Sequence, residues 1–94
     1  MAPYKDLEFV MQNRADLVAC IRQTLAQCGQ LAVEVNSLND TDDLYDAGLT
    51  SLNTVNLMLA VEDFFDCEFP EEMLARETFQ SIQAIAEAIR VITA

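Results

Sequence analysis

From about Leu7 to Cys28, apolar side chains recur at Leu7, Val10, Met11, Leu17, Val18, Ile21, Leu25 and Cys28. Steps of three and four residues put them on one side of a helix and leave Arg14, Asp16, Arg22 and Gln23 to face water. Gly29 follows at once and predicts the stop. Residues 30–50 then lose the period and form a long connection, polar and acidic from Asn36 to Asp43. Leu31, Val33, Val35, Leu38, Leu44, Tyr45 and Leu49 offer it anchors on a core. Residues 31–35 alternate weakly, but no partner strand is evident, so they read as loop. Connections this long tend to be functional.

The period returns at Ser51 and predicts a second helix to about Phe65, with Ser51 as the N-cap. It carries two apolar stripes. Leu57, Met58, Val61, Phe64 and Phe65, headed by Thr54, stay apolar to the end and are assigned to the core. Leu52, Val55 and Leu59 run into Glu62 and Asp63. A stripe ending in carboxylates is not deeply buried, so this one reads as a face for partner docking. Residues 66–70 break the helix, and Pro70 suits the start of a short helical turn through Glu71, Glu72, Met73 and Leu74. Ser81 is the expected cap of a last helix whose stripe is Ile82, Ile85, Ala86, Ile89 and Ile92, with Phe79 plugging the core before it. The pattern is all-α: three main helices, one short one and a long loop between the first two.

Length and composition fit this plan. Ninety-four residues make one domain, and 52% hydrophobic residues can fill its core. Two Gly and two Pro are too few for the turns of a sandwich or barrel. The net charge of −11 excludes the basic footprint of a nucleic-acid binder and disfavours anionic membranes. Residues 1–36 carry four acids and three bases, whereas residues 37–94 carry twelve acids and two bases. The later part therefore suits basic partner surfaces.

The chemistry available to the chain is narrow. With no histidine there is no Ser-His or Cys-His pair. Cys20, Cys28 and Cys67 form neither a disulfide framework nor a zinc site. On one helix Cys20 and Cys28 stand about 12 Å apart, too far to bridge. All three read as apolar filler, and reduced thiols suit a cytoplasmic location. The N-terminus lacks a signal-peptide plan, and no apolar run approaches the roughly 20 residues that span a bilayer. An EF-hand loop starting at Asp40 would need Gly and Glu where Tyr45 and Ser51 stand. Gly48-Leu49-Thr50-Ser51-Leu52 is not the nucleophile elbow G-x-S-x-G. A serine at a loop-to-helix junction, heading an acidic amphipathic helix, is what remains.

Asp46-Ala47-Gly48-Leu49-Thr50-Ser51-Leu52 resembles the phosphopantetheine attachment motif of acyl carrier proteins, usually written G-x-D-S-L. The match continues through Val55, Leu57, Val61-Glu62-Asp63, Phe65 and Phe69-Pro70, and resumes at Phe79, Ser81-Ile82 and Ile89. It covers about residues 5–92 and implies a four-helix acyl-carrier-protein-like bundle with residues 1–94 as a single carrier domain. Thr50 departs from the usual Asp, and Asn53 and Asn56 stand where fatty-acid carriers tend to have acids. With Phe69-Pro70, Met73-Leu74, Arg76 and Thr78-Phe79, the chain looks most like small bacterial stand-alone aminoacyl carrier proteins.

The resemblance implies that Ser51 is esterified with 4′-phosphopantetheine by a phosphopantetheinyl transferase using coenzyme A. The arm's thiol then carries an aminoacyl thioester. A ligase related to class II aminoacyl-tRNA synthetases loads it, and a downstream enzyme accepts the cargo. The protein itself is expected to be a monomeric, cytoplasmic, non-catalytic carrier. Leu52, Val55, Leu59, Glu62 and Asp63 are its expected docking residues. Two alternatives stand beside this reading: an acyl carrier of a specialised fatty-acid or polyketide pathway, and an unmodified acidic module that only binds proteins.

Overall fold

The computed structural model describes residues 14–93, which form three α-helices: α1 (Arg14–Cys28), α2 (Ser51–Phe65) and α3 (Ile82–Thr93). The part of the first helix expected from Leu7 to residue 13 lies outside the described residues. Helix α1 packs on both α2 and α3. Each contributes one apolar ridge to the core: Leu17, Ile21 and Leu25; Leu57, Val61 and Phe65; Ile82, Ile85 and Ile89. These nine side chains are almost completely removed from water, each worth roughly 1.5–3 kcal/mol of transfer free energy. The stripe assigned to the core of α2 is thus buried at Leu57, Val61 and Phe65, while Met58 and Phe64 pack on its margin. Phe79 is buried as expected and meets Phe69 edge to face at 5.3 Å. The Oγ of Ser81 accepts from the amide of Ala84 at 3.0 Å, the cap expected for α3.

Several details differ from the reading of the sequence; Val33, expected as a loop anchor on the core, is exposed. The short helix after Pro70 is one 3₁₀ turn, Glu71–Met73, with extended Pro70 before it. A second 3₁₀ turn, Arg76–Phe79, follows and packs on α3. Such turns carry no 3.6-residue period, so the apolar pattern cannot announce them. Of the cysteines only Cys20 is fully buried; Cys28 and Cys67 are half-exposed.

Arg22 is a further difference, since it does not simply face water. Its guanidinium donates to the carbonyls of Val35 and Leu38, both at 2.8 Å, and to Asp40 Oδ1 at 2.7 Å. One side chain thereby gathers the long loop onto α1. The loop is further pinned by Ala32 donating to the carbonyl of Ala47 and by Leu44 donating to that of Gln80. Its carboxylates serve the backbone: Asp42 accepts from the amide of Asn39, and Asp43 from the amide of Tyr45. These are local turns of the kind Asp side chains favour. Residues 31–35 contain no strand. The loop is therefore an ordered strap that delivers Thr50 and Ser51 to the head of α2.

Candidate functional site

The head of α2 is built by the residue before the serine. Thr50 has extended backbone angles, φ −92° and ψ 166°, and its hydroxyl accepts from the amide of Asn53 at 3.1 Å. Its carbonyl accepts from both the amide and the hydroxyl of Thr54. Thr50, not Ser51, is the N-cap. A threonine has the extended-backbone preference and the acceptor oxygen that a cap requires, so it takes the role one residue earlier than expected. Ser51 is the first helical residue and is exposed. Among the described residues its hydroxyl has no hydrogen-bond partner, and the amides of Ser51 and Leu52 have no protein acceptor.

That arrangement suits a phosphate ester on Ser51. The hydroxyl is free to react, and the product oxygens would meet unpaired amides at the positive end of the helix. No acidic residue stands in the first turn to oppose a new negative charge. A 4′-phosphopantetheine group therefore fits the residues present.

Along α2, Leu52, Val55 and Leu59 are 72%, 49% and 53% exposed, an apolar strip on the outer face of the helix. Asp63 is exposed beyond them. Glu62 is placed differently. It is only half-exposed, and its Oε2 accepts from the amide of Phe69 at 2.9 Å, tying the segment after α2 back to the helix. Asp66 closes α2 in the left-handed conformation, φ 53°. Burial pushes the neighbouring Cys67 thiol above its ordinary value of 9.0, with Glu62 and then Asp66 adding to the rise.

Beside Ser51 an open cleft of about 350 Å³ runs between α2 and the Arg76–Phe79 turn. Val55, Met58, Leu74 and Phe79 give it apolar lining, and Tyr45 and Arg76 line it too. The Arg76 guanidinium lies over the Tyr45 ring, 3.9 Å from its centroid, and the Tyr45 hydroxyl donates to the Arg76 carbonyl at 3.0 Å. This pair had no signal in the sequence: thirty-one residues separate its members.

Comparison with known proteins places these features in a wider set. The family described as phosphopantetheine attachment site matches residues 21–89. An aminoacyl carrier protein of Agrobacterium fabrum is 47% identical over 74 residues, 79% of this chain and 89% of that protein. Two crystal structures contain similar chains. One is an engineered Bradyrhizobium japonicum glycine:carrier protein ligase complexed with carrier protein from Agrobacterium tumefaciens and ATP. It superposes with a TM-score of 0.79 at 46% identity, over 81% of this chain and 99% of that one. The other is the B. japonicum ligase complexed with glycylated carrier protein. Here the TM-score is 0.67 at 32% identity, over 77% of this chain and 96% of the other.

Proposed function

Because the chain belongs to the phosphopantetheine-attachment family, and within it to the aminoacyl carrier proteins, we propose that it carries an activated amino acid on an arm attached to Ser51. The observation that carries this reading is the free, exposed hydroxyl of Ser51 at the head of a helix already capped by Thr50. In the transfer, the Ser51 hydroxyl gives up its proton and forms the new phosphorus–oxygen bond as the pyrophosphate of coenzyme A breaks and the nucleotide leaves. When attached, 4′-phosphopantetheine supplies a thiol that holds the amino acid as a thioester.

The chain's own residues bind, display and orient; the chemistry belongs to partner enzymes. These are a phosphopantetheinyl transferase, a ligase that activates the amino acid and a downstream acceptor. Relatives captured with a glycine ligase support a loading enzyme of that kind. Leu52, Val55 and Leu59, with Asp63, form the docking face, and Glu62 holds the end of α2 in shape beside it. Among the described residues no helix is long and apolar enough to cross a membrane, and the three thiols are free, as suits a cytoplasmic protein.

The test is the intact mass of the protein from its own host, beside Ser51→Ala. The wild type is expected to gain one phosphopantetheinyl group, plus an aminoacyl increment after incubation with ligase, ATP and amino acid. Retention of the group by Ser51→Ala would show that another residue is modified.

A further inference from the structure

Arg76 is a cation in unusual surroundings. Residues 37–94 hold twelve acids and only two bases, yet among the described residues Arg76 forms no ion pair. Its guanidinium instead rests on the Tyr45 ring, and the Tyr45 hydroxyl fastens the Arg76 backbone. A guanidinium stacked on a ring has its flexible side chain ordered while its N–H groups stay at the edge, free to donate. Among the described residues it is also the one charged side chain lining the cleft that Ser51 lines.

Given the attachment of the arm at Ser51 proposed above, we infer that Arg76, stacked on Tyr45, binds the phosphodiester on Ser51. A phosphodiester carries one negative charge and unsubstituted oxygens that a guanidinium fork matches in shape and charge. The amides of Ser51 and Leu52 stand at the head of α2, and Arg76 lines the same cleft as Ser51 from the turn that follows Leu74 and Ala75. The head of α2 has no carboxylate in its first turn to compete for the guanidinium. Arg76 is thus a positioning residue: it fixes the root of the arm whatever the thiol carries. Tyr45 acts through Arg76 by holding it flat.

The experiment begins with the full chain converted to its modified form by coenzyme A and a transferase, with one added arm on Ser51 confirmed by mass. The ³¹P resonance is then recorded for wild type, Arg76→Gln, Arg76→Lys and Tyr45→Leu, and the Arg76 side-chain Nε–Hε resonance for wild type and Tyr45→Leu, which keep the guanidinium. Attachment of the arm should shift the wild-type Nε–Hε resonance. In Arg76→Gln the ³¹P resonance should move to the position of a phosphopantetheinylated serine peptide. Arg76→Lys and Tyr45→Leu should fall between, since each keeps a cation but loses the stacked fork. The Arg76 side chain is exposed and Tyr45 lies only at the margin of the core, so the variants should keep the fold, which amide spectra verify. An arm on Ser51 with identical ³¹P shifts in wild type and Arg76→Gln, and an unmoved Nε–Hε resonance, would overturn the inference alone. A chain that accepts no arm on Ser51 would overturn the attachment reading and this inference together.

Discussion

Gly48 and Ala32 pass so closely that a Cβ on Gly48 would stand 2.8 Å from the Ala32 nitrogen and 3.2 Å from its Cβ. Gly48 also has φ +112°, a region that side chains rarely enter. Its contact with Ala32 lies next to the bond from the Ala32 amide to the Ala47 carbonyl, so the two ends of the strap meet here. Gly48→Ala is therefore expected to cost about 2–3 kcal/mol, read from urea unfolding. A loss below about 0.5 kcal/mol would mean that the loop yields at this point.

Thr50 makes the capping of α2 separable from its chemistry. Thr50→Ala removes the oxygen that accepts from Asn53 and should lower stability by about 1 kcal/mol, or about 4–8 °C in Tm. Thr50→Asp keeps an acceptor and adds a charge that the helix dipole favours, so it should melt at or above the wild type. Both variants keep Ser51 and should still accept the arm.

Arg22 holds three acceptors of the strap at once. Arg22→Met leaves the carbonyls of Val35 and Leu38 without their donor and should cost about 1–3 kcal/mol. Asp40→Asn weakens a pair whose side chains are 21% and 42% exposed, so it should cost less than about 1 kcal/mol. Hydrogen exchange provides the local check: amides of residues 35–44 should exchange faster in Arg22→Met.

Cys67 gives the protein an alkaline weakness. Its thiol is pushed above 9.0 in the fold, by burial first and then by Glu62 and Asp66. Below that value both folded and unfolded chains hold the proton, and the contribution to stability is fully present. Above it the unfolded chain ionises first, so stability falls as pH rises toward the folded value. Cys67→Ser should flatten the fall of stability with pH above 9.0, measured by urea midpoints across the alkaline range. An unchanged profile would assign the alkaline weakness to other groups.

Val55 and Leu59 test the proposed docking face. Both are about half-exposed, so Val55→Asp or Leu59→Asp should leave stability within about 0.5 kcal/mol. Loading by the ligase should fall about tenfold in kcat/KM, the equivalent of one apolar contact of ~1.4 kcal/mol lost from an interface. Unchanged loading would place the ligase on another face.

The helices and their inward ridges were legible because burial imposes a period on the sequence: Leu57, Val61 and Phe65 repeat every four residues and are all buried. The outward strip of α2 was legible for the same reason, since Leu52, Val55 and Leu59 lead into acids. Arg22 was misread because a charged residue on a helical pattern says nothing of the loop that will fold over it. Its partners lie 13 to 18 residues away. The cap at Thr50 was displaced by one residue because Thr and Ser both accept an amide, and only backbone angles decide which does so. The Tyr45–Arg76 pair required tertiary structure, as neither residue carries a periodic mark.

Capping by Thr50 has a consequence for how the protein takes part in a cycle. The hydroxyl proposed to take the arm and the hydroxyl that stabilises the helix belong to different residues, so derivatising Ser51 would remove no bond that the scaffold shows. On that reading the helix cap stays the same whether the passenger is absent, waiting or delivered, and an enzyme that must distinguish an empty carrier from a charged one would find no difference in the cap to read.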